Sequence, residues 1–328
     1  MWARLRPYDH RRMRAATITA PTLTVREHPD PVPGTGEVLI RVRAAGLNNA
    51  DLLQIAGFYP APPGAPADIP GLELAGEVIG LGAGATRFSV GDRVMAVVGG
   101  GGLAELAVVH ERTLLPVAAS VSWEAAGGFP EAFTTAHDAL FTQCGLQMGE
   151  RVCIHGAAGG VGVAGVQLAA ATGATVVATV RDPARRAAVE SLAPGQVNAV
   201  DPASFAEHGP FDVILELVGA SNLAANLASL TVGGRISIIG VGGGGSKTEI
   251  DLLAIMTKRA RIHGSTLRTR PLEQKADAAR RVETQVLPHL ASGRVQVPVT
   301  ATFGLDDVAA AYDRFRDGRK FGKIIVLP

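Results

Sequence analysis

Cysteine is almost missing from this chain. Cys144 and Cys153 are the only two among 328 residues, too few for a disulfide framework or a four-thiolate zinc site. Long apolar runs are missing too. None reaches the roughly 18 residues of a membrane-spanning helix, so no membrane partner is expected. Neither charge sign dominates: 31 Lys and Arg face 30 Asp and Glu. No basic stripe with interleaved aromatics occurs, which argues against nucleic acid as a partner. The opening stretch MWARLRPYDHRRMRAATITA is basic but lacks the apolar segment of a secretory signal. Residues 1–12 are read as a tail or an extended translation start, because a regular strand pattern begins only near Met13, and a cytoplasmic location is expected.

What is present can bury a sizeable core. The composition is 47% hydrophobic and 19% charged, and the length suits about two domains. Residues 13–120 carry short alternating runs such as EVLIRVRAAG (37–46), separated by Gly and Pro clusters. That spacing suits a small antiparallel barrel-like unit. From about 121 to 262 the rhythm changes to apolar strands alternating with helices: RVCIHG, ATVVATV, FDVILELV and GRISIIG mark the strands. Repeated βαβ units imply a parallel sheet covered on both faces. A long amphipathic helix is expected at about 272–291, then a strand, a helix and the terminal strand KIIVLP. This last piece is too short to fold alone and is read as rejoining the first region. The expected boundaries are 1–121 with 263–328 for one domain and 122–262 for the other. The fold class is α/β.

The most informative stretch is CIHGAAGGVG (153–162), where an apolar strand runs into four glycines and then a helix. Glycine permits tight turns and close approach of another group. That group can be a phosphate or a neighbouring helix, and the motif alone serves either. The strand-loop-helix context favours the phosphate. Gly159 would then let the backbone reach a diphosphate, and Gly162 would let helix and strand pack closely. The N–H groups of Gly160 and Val161 open the helix toward the anion. About 20 residues on, a site for a free ribose diol carries an acid. Here Val180 holds that place, followed by Arg181 and, one turn later, Arg185. Arginine pairs with a 2′-phosphate, which favours NADPH, although Asp182 lies close by.

GEVLIRVRAAGLNNADLLQIAGFYPAPPG, IPGLELAGEVIGLG, HGAAGGVGVAGVQLA and HGSTLR resemble the medium-chain dehydrogenase/reductase superfamily, in its zinc-free quinone oxidoreductase branch. The resemblance runs from about Met13 to Pro328. It implies a GroES-like substrate domain with an inserted Rossmann domain, NADPH, a homodimer, and a substrate held between the domains over the nicotinamide. Zinc-dependent relatives carry Cys in the segment matching GLNNAD and His in the one matching GLE. Asn48 and Leu72 stand in those places, and neither is a usable zinc ligand. Without a Lewis acid, reduction of a simple carbonyl is difficult. A quinone or conjugated enone is already electron-poor and needs mainly positioning in a dry site.

The resemblance assigns Asn48, Tyr59 and Thr135 to the nicotinamide and substrate. It assigns Gly156, Gly159, Gly160, Val161, Gly162, Arg181, Arg185, Val218, Gly240, Ser265 and Lys323 to the dinucleotide. Asp51 reads as a helix cap, and His137 and His155 as packing residues. Leu103, where relatives often have Tyr, is expected to make the substrate face more apolar. The function expected is hydride transfer from NADPH to a quinone or similar conjugated carbonyl. An enoyl thioester or enone reductase is the nearer alternative, and a non-catalytic NADPH-binding sensor or structural protein the more distant one.

Overall fold

The computed structural model describes residues 12–20 and 22–328. The tail expected at 1–12 lies outside the described residues except for Arg12, which opens the first strand. The chain forms two compact units. One comprises the residues up to Pro130 with Ala301–Gly318 and Ile324–Pro328; the other comprises Glu131–Thr300 and Arg319–Lys323. The second is thus inserted in the first. The change-overs fall later than 121/122 and 262/263. Residues 263–300 pack with the inserted unit because their strand extends its sheet and Gln296 is tied to it. The Gln296 amide N donates to Gln167 Oε1 at 2.7 Å, and Gln167 Nε2 donates to Gln296 O at 2.9 Å.

In the first unit, β1 (Arg12–Thr19) and β2 (Thr22–Pro29) form a hairpin. β3 (Glu37–Gly46), β4 (Glu73–Leu81), β5 (Arg93–Val97), β6 (Leu106–His110) and β7 (Leu115–Pro116) build an antiparallel sheet. The alternation in β3 works as read: Val38, Ile40 and Val42 are buried while Arg41 and Arg43 are exposed. Leu103 is a correction. It is fully buried in the core beside Ile40, Leu74 and Val94, because the Gly100–Gly102 turn folds it inward, so it lines no substrate face.

The inserted unit holds six strands: β8 (Arg151–Ile154), β9 (Thr175–Thr179), β10 (Val197–Val200), β11 (Phe211–Glu216), β12 (Leu230–Ile238) and β13 (Arg261–Gly264). Every pairing is parallel and the order is β10-β9-β8-β11-β12-β13. That is the 3-2-1-4-5-6 order of a doubly wound dinucleotide fold, whose ligand crevice opens at the carboxyl ends where the order reverses. Here the reversal lies at β8 and β11. The helix Gly160–Ala171 follows β8, and its residues 162–170 are all buried. The expected helix 272–291 is broken into Leu272–Gln285 and Leu287–Ala291, with Pro288 in the first turn of the second piece. Proline has no N–H and is tolerated at such a start but not in mid-helix. The helix Pro130–His137 continues as a π-helix, Asp138–Gln143, which the sequence pattern does not announce. The chain closes with β14 (Val299–Gly304) and β15 (Lys323–Leu327), the latter antiparallel to β3.

Candidate functional site

In the inserted unit the glycines divide by what they touch. Gly156 turns the chain at φ +65°, in the left-handed region that favours glycine. A Cβ on Gly162 would collide with Gly156 O and come within 2.6 Å of Ala157 Cα. Gly162 therefore seats the first helical turn on the loop. Close packing of helix on sheet, expected of Gly162, falls to Gly165, whose Cβ would lie 3.0 Å from Leu215 Cδ2 and 3.4 Å from Ile154 Cδ1. Gly159 is different. Its φ of −78° suits any residue, and a Cβ there would meet only Gly156 O, at 3.5 Å. Packing does not require glycine at 159. A group outside the chain that must come close to this backbone would.

The segment 319–323 docks beside that loop. Gly322 N donates to Ala158 O at 3.0 Å. A Cβ on Gly160 would sit 2.9 Å from Lys323 Cδ, so the buried Lys323 stem crosses the first turn of the helix. Arg181 follows β9 and is exposed, whereas Val180 is buried. Arg185 is already engaged, through its guanidinium to Lys320 O at 3.0 Å and to Asp182 Oδ2 at 3.2 Å. Asp182 also caps the short helix Pro183–Arg185, accepting from Ala184 N. Gly240 lies against Leu217, where a Cβ would collide with Leu217 O. Ser265 is drawn elsewhere. Its hydroxyl donates to Asp138 Oδ2 at 2.6 Å, and Arg270 Nη2 donates to both. Burial works against the Asp138 charge, but Arg270 and Ser265 hold its carboxyl below the usual range. Thr135 is buried in the helix Pro130–His137.

Sequence reasoning missed the buried polar cluster behind the glycine loop. Glu216 ends β11 and is 2% exposed. Its Oε1 accepts from Val218 N at 2.7 Å and Gly219 N at 2.8 Å, and its Oε2 accepts from Asn226 Nδ2 at 2.7 Å. His155, read as a packing residue, reaches Asn226 Oδ1 at 2.8 Å and Thr179 Oγ1 at 3.2 Å. Burial holds its imidazole below the ordinary histidine value, against the pull of Glu216. The available signal was a charge inside the apolar run FDVILELV.

In the first unit, Asn48 sits at the start of the helix Asn49–Ile55. Its Nδ2 donates to Gly46 O at 3.1 Å and to Glu73 Oε1 at 3.0 Å. Glu73 is fully buried. Asp51 caps as expected: Oδ2 accepts from Asn48 N at 2.7 Å, and Oδ1 accepts from Gly71 N at 3.3 Å. Leu72 is buried in the core. Among the described residues no group of three or more His, Cys, Asp and Glu could hold a metal ion. An asparagine amide and a leucine, at positions 48 and 72, are not zinc ligands. Tyr59 is half-buried in the loop after this helix. Asn48 and Tyr59 belong to the first unit, Thr135 and the glycine loop to the second.

Comparison with known proteins agrees with this division. The family described as alcohol dehydrogenase GroES-like domain matches residues 34–119, and that described as zinc-binding dehydrogenase matches 160–283. Acryloyl-coenzyme A reductase of Metallosphaera sedula is 30% identical over 92% of this chain and 95% of its own. Quinone oxidoreductase of Homo sapiens is 30% identical over 90% and 91%. A segment of polyketide synthase GfsB of Streptomyces halstedii is 38% identical over 62% of this chain, which spans only 4% of that protein. Among solved structures, a thermostable alcohol dehydrogenase from Pyrobaculum aerophilum superposes with a TM-score of 0.82 at 28% identity, covering 97% of this chain and all of that one (100%). No helix among the described residues is long and apolar enough to cross a membrane.

Proposed function

Because the chain belongs to the medium-chain dehydrogenase/reductase superfamily, in its quinone oxidoreductase branch, we propose that this oxidoreductase reduces quinones or similar conjugated carbonyls with NADPH, independently of zinc. The observation that carries the reading is Gly159. It is a glycine that the packing leaves unexplained, at the carboxyl end of β8, where a doubly wound sheet binds its ligand.

The dinucleotide supplies the hydride. The chain supplies the rest. The N–H groups of Gly160, Val161 and Gly162 have no intrahelical acceptor and receive the diphosphate. The buried Lys323 stem over Gly160 brings an ammonium toward the same anion. Exposed Arg181, with no acid at Val180, suits a 2′-phosphate. Arg185 acts by holding Lys320 in place. Val218 and Gly240 line the loops after β11 and β12, and Ser265 steadies the turn after β13. Tyr59 and Thr135 are assigned to the nicotinamide or the acceptor. Asn48, whose amide donates to Gly46 O and Glu73 Oε1, is assigned to an arriving carbonyl. One hydride from the dinucleotide and one proton, from water or Tyr59, convert an enone to its saturated ketone. The same count, one hydride and one proton, converts a quinone to its hydroquinone.

The relative that reduces acryloyl-coenzyme A favours a second reading, an enoyl thioester reductase. NADPH oxidation followed with 1,2-naphthoquinone, an enone and an enoyl thioester separates the two by kcat/KM. No oxidation with any acceptor, despite NADPH binding, would leave a dinucleotide-binding sensor. Stoichiometric zinc in the active protein would overturn zinc independence. A homodimer is part of the proposal. It is supported by exposed Leu252, Leu253 and Met256 on the helix Leu252–Lys258, which leads into the edge strand β13. Light scattering reads the mass directly.

A further inference from the structure

The buried cluster behind the glycine loop has a single consistent hydrogen-bond direction. Asn226 Nδ2 donates to Glu216 Oε2, so its Oδ1 is left to accept. His155 Nε2 lies 2.8 Å from that oxygen and must carry the proton. A neutral imidazole then has Nδ1 as an acceptor. Thr179 Oγ1, at 3.2 Å, donates to it. The same Thr179 oxygen accepts from Gly156 N at 3.3 Å. The run is therefore Gly156 N–H to Thr179, Thr179 to His155, His155 to Asn226, and Asn226 to Glu216. At its far end Glu216 gathers the N–H groups of Val218 and Gly219. Asn222 Nδ2 adds a further donor to Glu216 Oε2 at 3.2 Å.

This run crosses the carboxyl ends of β8, β9 and β11, the strands on either side of the point where the sheet order reverses. It ties the turn before the glycine loop to the turn after β11. Both turns border the crevice in which such a sheet takes its ligand. Glu216, His155, Asn226 and Thr179 are each at most 2% exposed, so none is placed to touch a ligand itself. A buried network with every member satisfied rigidifies what it joins.

We propose that Thr179, His155, Asn226 and Glu216 form a positioning relay that holds the Gly156 and Val218–Gly219 turns in register, and that dinucleotide affinity depends on its direction. The inference rests on the dinucleotide reading of the glycine loop. The direction can be broken and restored by exchange. Glu216→Gln sets an amide donor against the Asn226 donor. Asn226→Asp sets two carboxylates against each other. The double variant Glu216→Gln/Asn226→Asp restores one donor and one acceptor at that contact and leaves an acceptor for His155.

The experiment is a calorimetric or fluorescence titration of NADPH and NADH into the full chain and these three variants, with thermal midpoints measured without dinucleotide. Wild type binds. Each single variant loses about tenfold or more in Kd, as expected when a buried donor or acceptor is left without a partner. The double variant recovers to within about threefold of wild type. In steady state the single variants raise KM for the dinucleotide far more than they lower kcat. Thr179→Val, which cuts the other end of the run, weakens binding in the same direction and serves if an exchange variant does not fold. If wild type ignores both dinucleotides, the reading of the loop fails and the relay with it. If wild type binds and the folded single variants or Thr179→Val bind equally well, the relay alone is overturned. Failure of the double variant to recover, with its thermal midpoint intact, overturns it as well.

Discussion

Each unit buries one carboxylate at a strand end, and each carboxylate receives asparagine amides, but the two arrangements hold different things. Glu73, at the start of β4, takes one amide proton of Asn48, whose other proton goes to Gly46 O. That pair fixes the turn from β3 into the helix Asn49–Ile55, where zinc-dependent relatives place a metal ligand. Glu216, at the end of β11, takes backbone N–H groups as well as amides, and the run behind it reaches the glycine loop. In the first unit the carboxylate stabilises a side-chain turn. In the second it stabilises the backbone turn at Val218 and Gly219. The lesson is that Glu73 serves one local polar pair, whereas Glu216 belongs to a run that joins the ends of several strands.

The largest expected effect comes from crowding the loop itself. Gly162→Ala puts a methyl against Gly156 O and Ala157 Cα, so the loop or the helix must move. Unfolding should become easier by about 1–3 kcal/mol, and dinucleotide binding should be lost; denaturant titration and calorimetry read the two effects. Next comes Glu73→Ala, which takes the buried carboxylate acceptor away from the Asn48 amide. A loss of about 1–3 kcal/mol is expected, while Glu73→Gln, which can still accept, should recover most of it in the same urea titration. The comparison fails if the two variants unfold alike. Arg181→Ala comes third. It should reduce the preference for NADPH over NADH about tenfold, the weight of one charge-assisted contact, with no change in thermal midpoint.

The smallest effect is in pH. The His155 imidazole is held below its ordinary value by burial, so the unfolded chain takes a proton there before the native state does. Its contribution to stability is therefore whole above about pH 6.5, the unfolded value, and shrinks as pH falls through the lowered native value. The thermal midpoint of wild type should drop on acidification below pH 6.5 more steeply than that of His155→Gln. Parallel slopes would show that this histidine carries no such linkage.

Much of this was legible because local pattern and fold agreed. The alternation in β3 and the strand-loop-helix at 151–171 read directly, since each depends on neighbours in sequence. What stayed hidden depends on partners far along the chain. Gly162 and Gly165 are indistinguishable as letters; only the position of Ile154 and Leu215 assigns the close packing to Gly165. Leu103 reads as a surface substitution until the Gly100–Gly102 turn folds it into the core. Residues 263–300 resemble a return to the first unit, yet Gln167 and the pairing of β13 with β12 keep them in the second. Glu73 and Glu216 were visible as charges in apolar runs, but nothing local says which amide answers each.

Gly159→Ala offers the most direct test. The added methyl meets only Gly156 O, at 3.5 Å, so its thermal midpoint should stay within a few degrees of wild type, reflecting less than about 1 kcal/mol at a helix start. NADPH affinity, measured on the same sample, should fall at least about tenfold, because the methyl occupies the space the diphosphate must enter. Unchanged affinity in the folded variant would contradict the claim that this loop grips a dinucleotide.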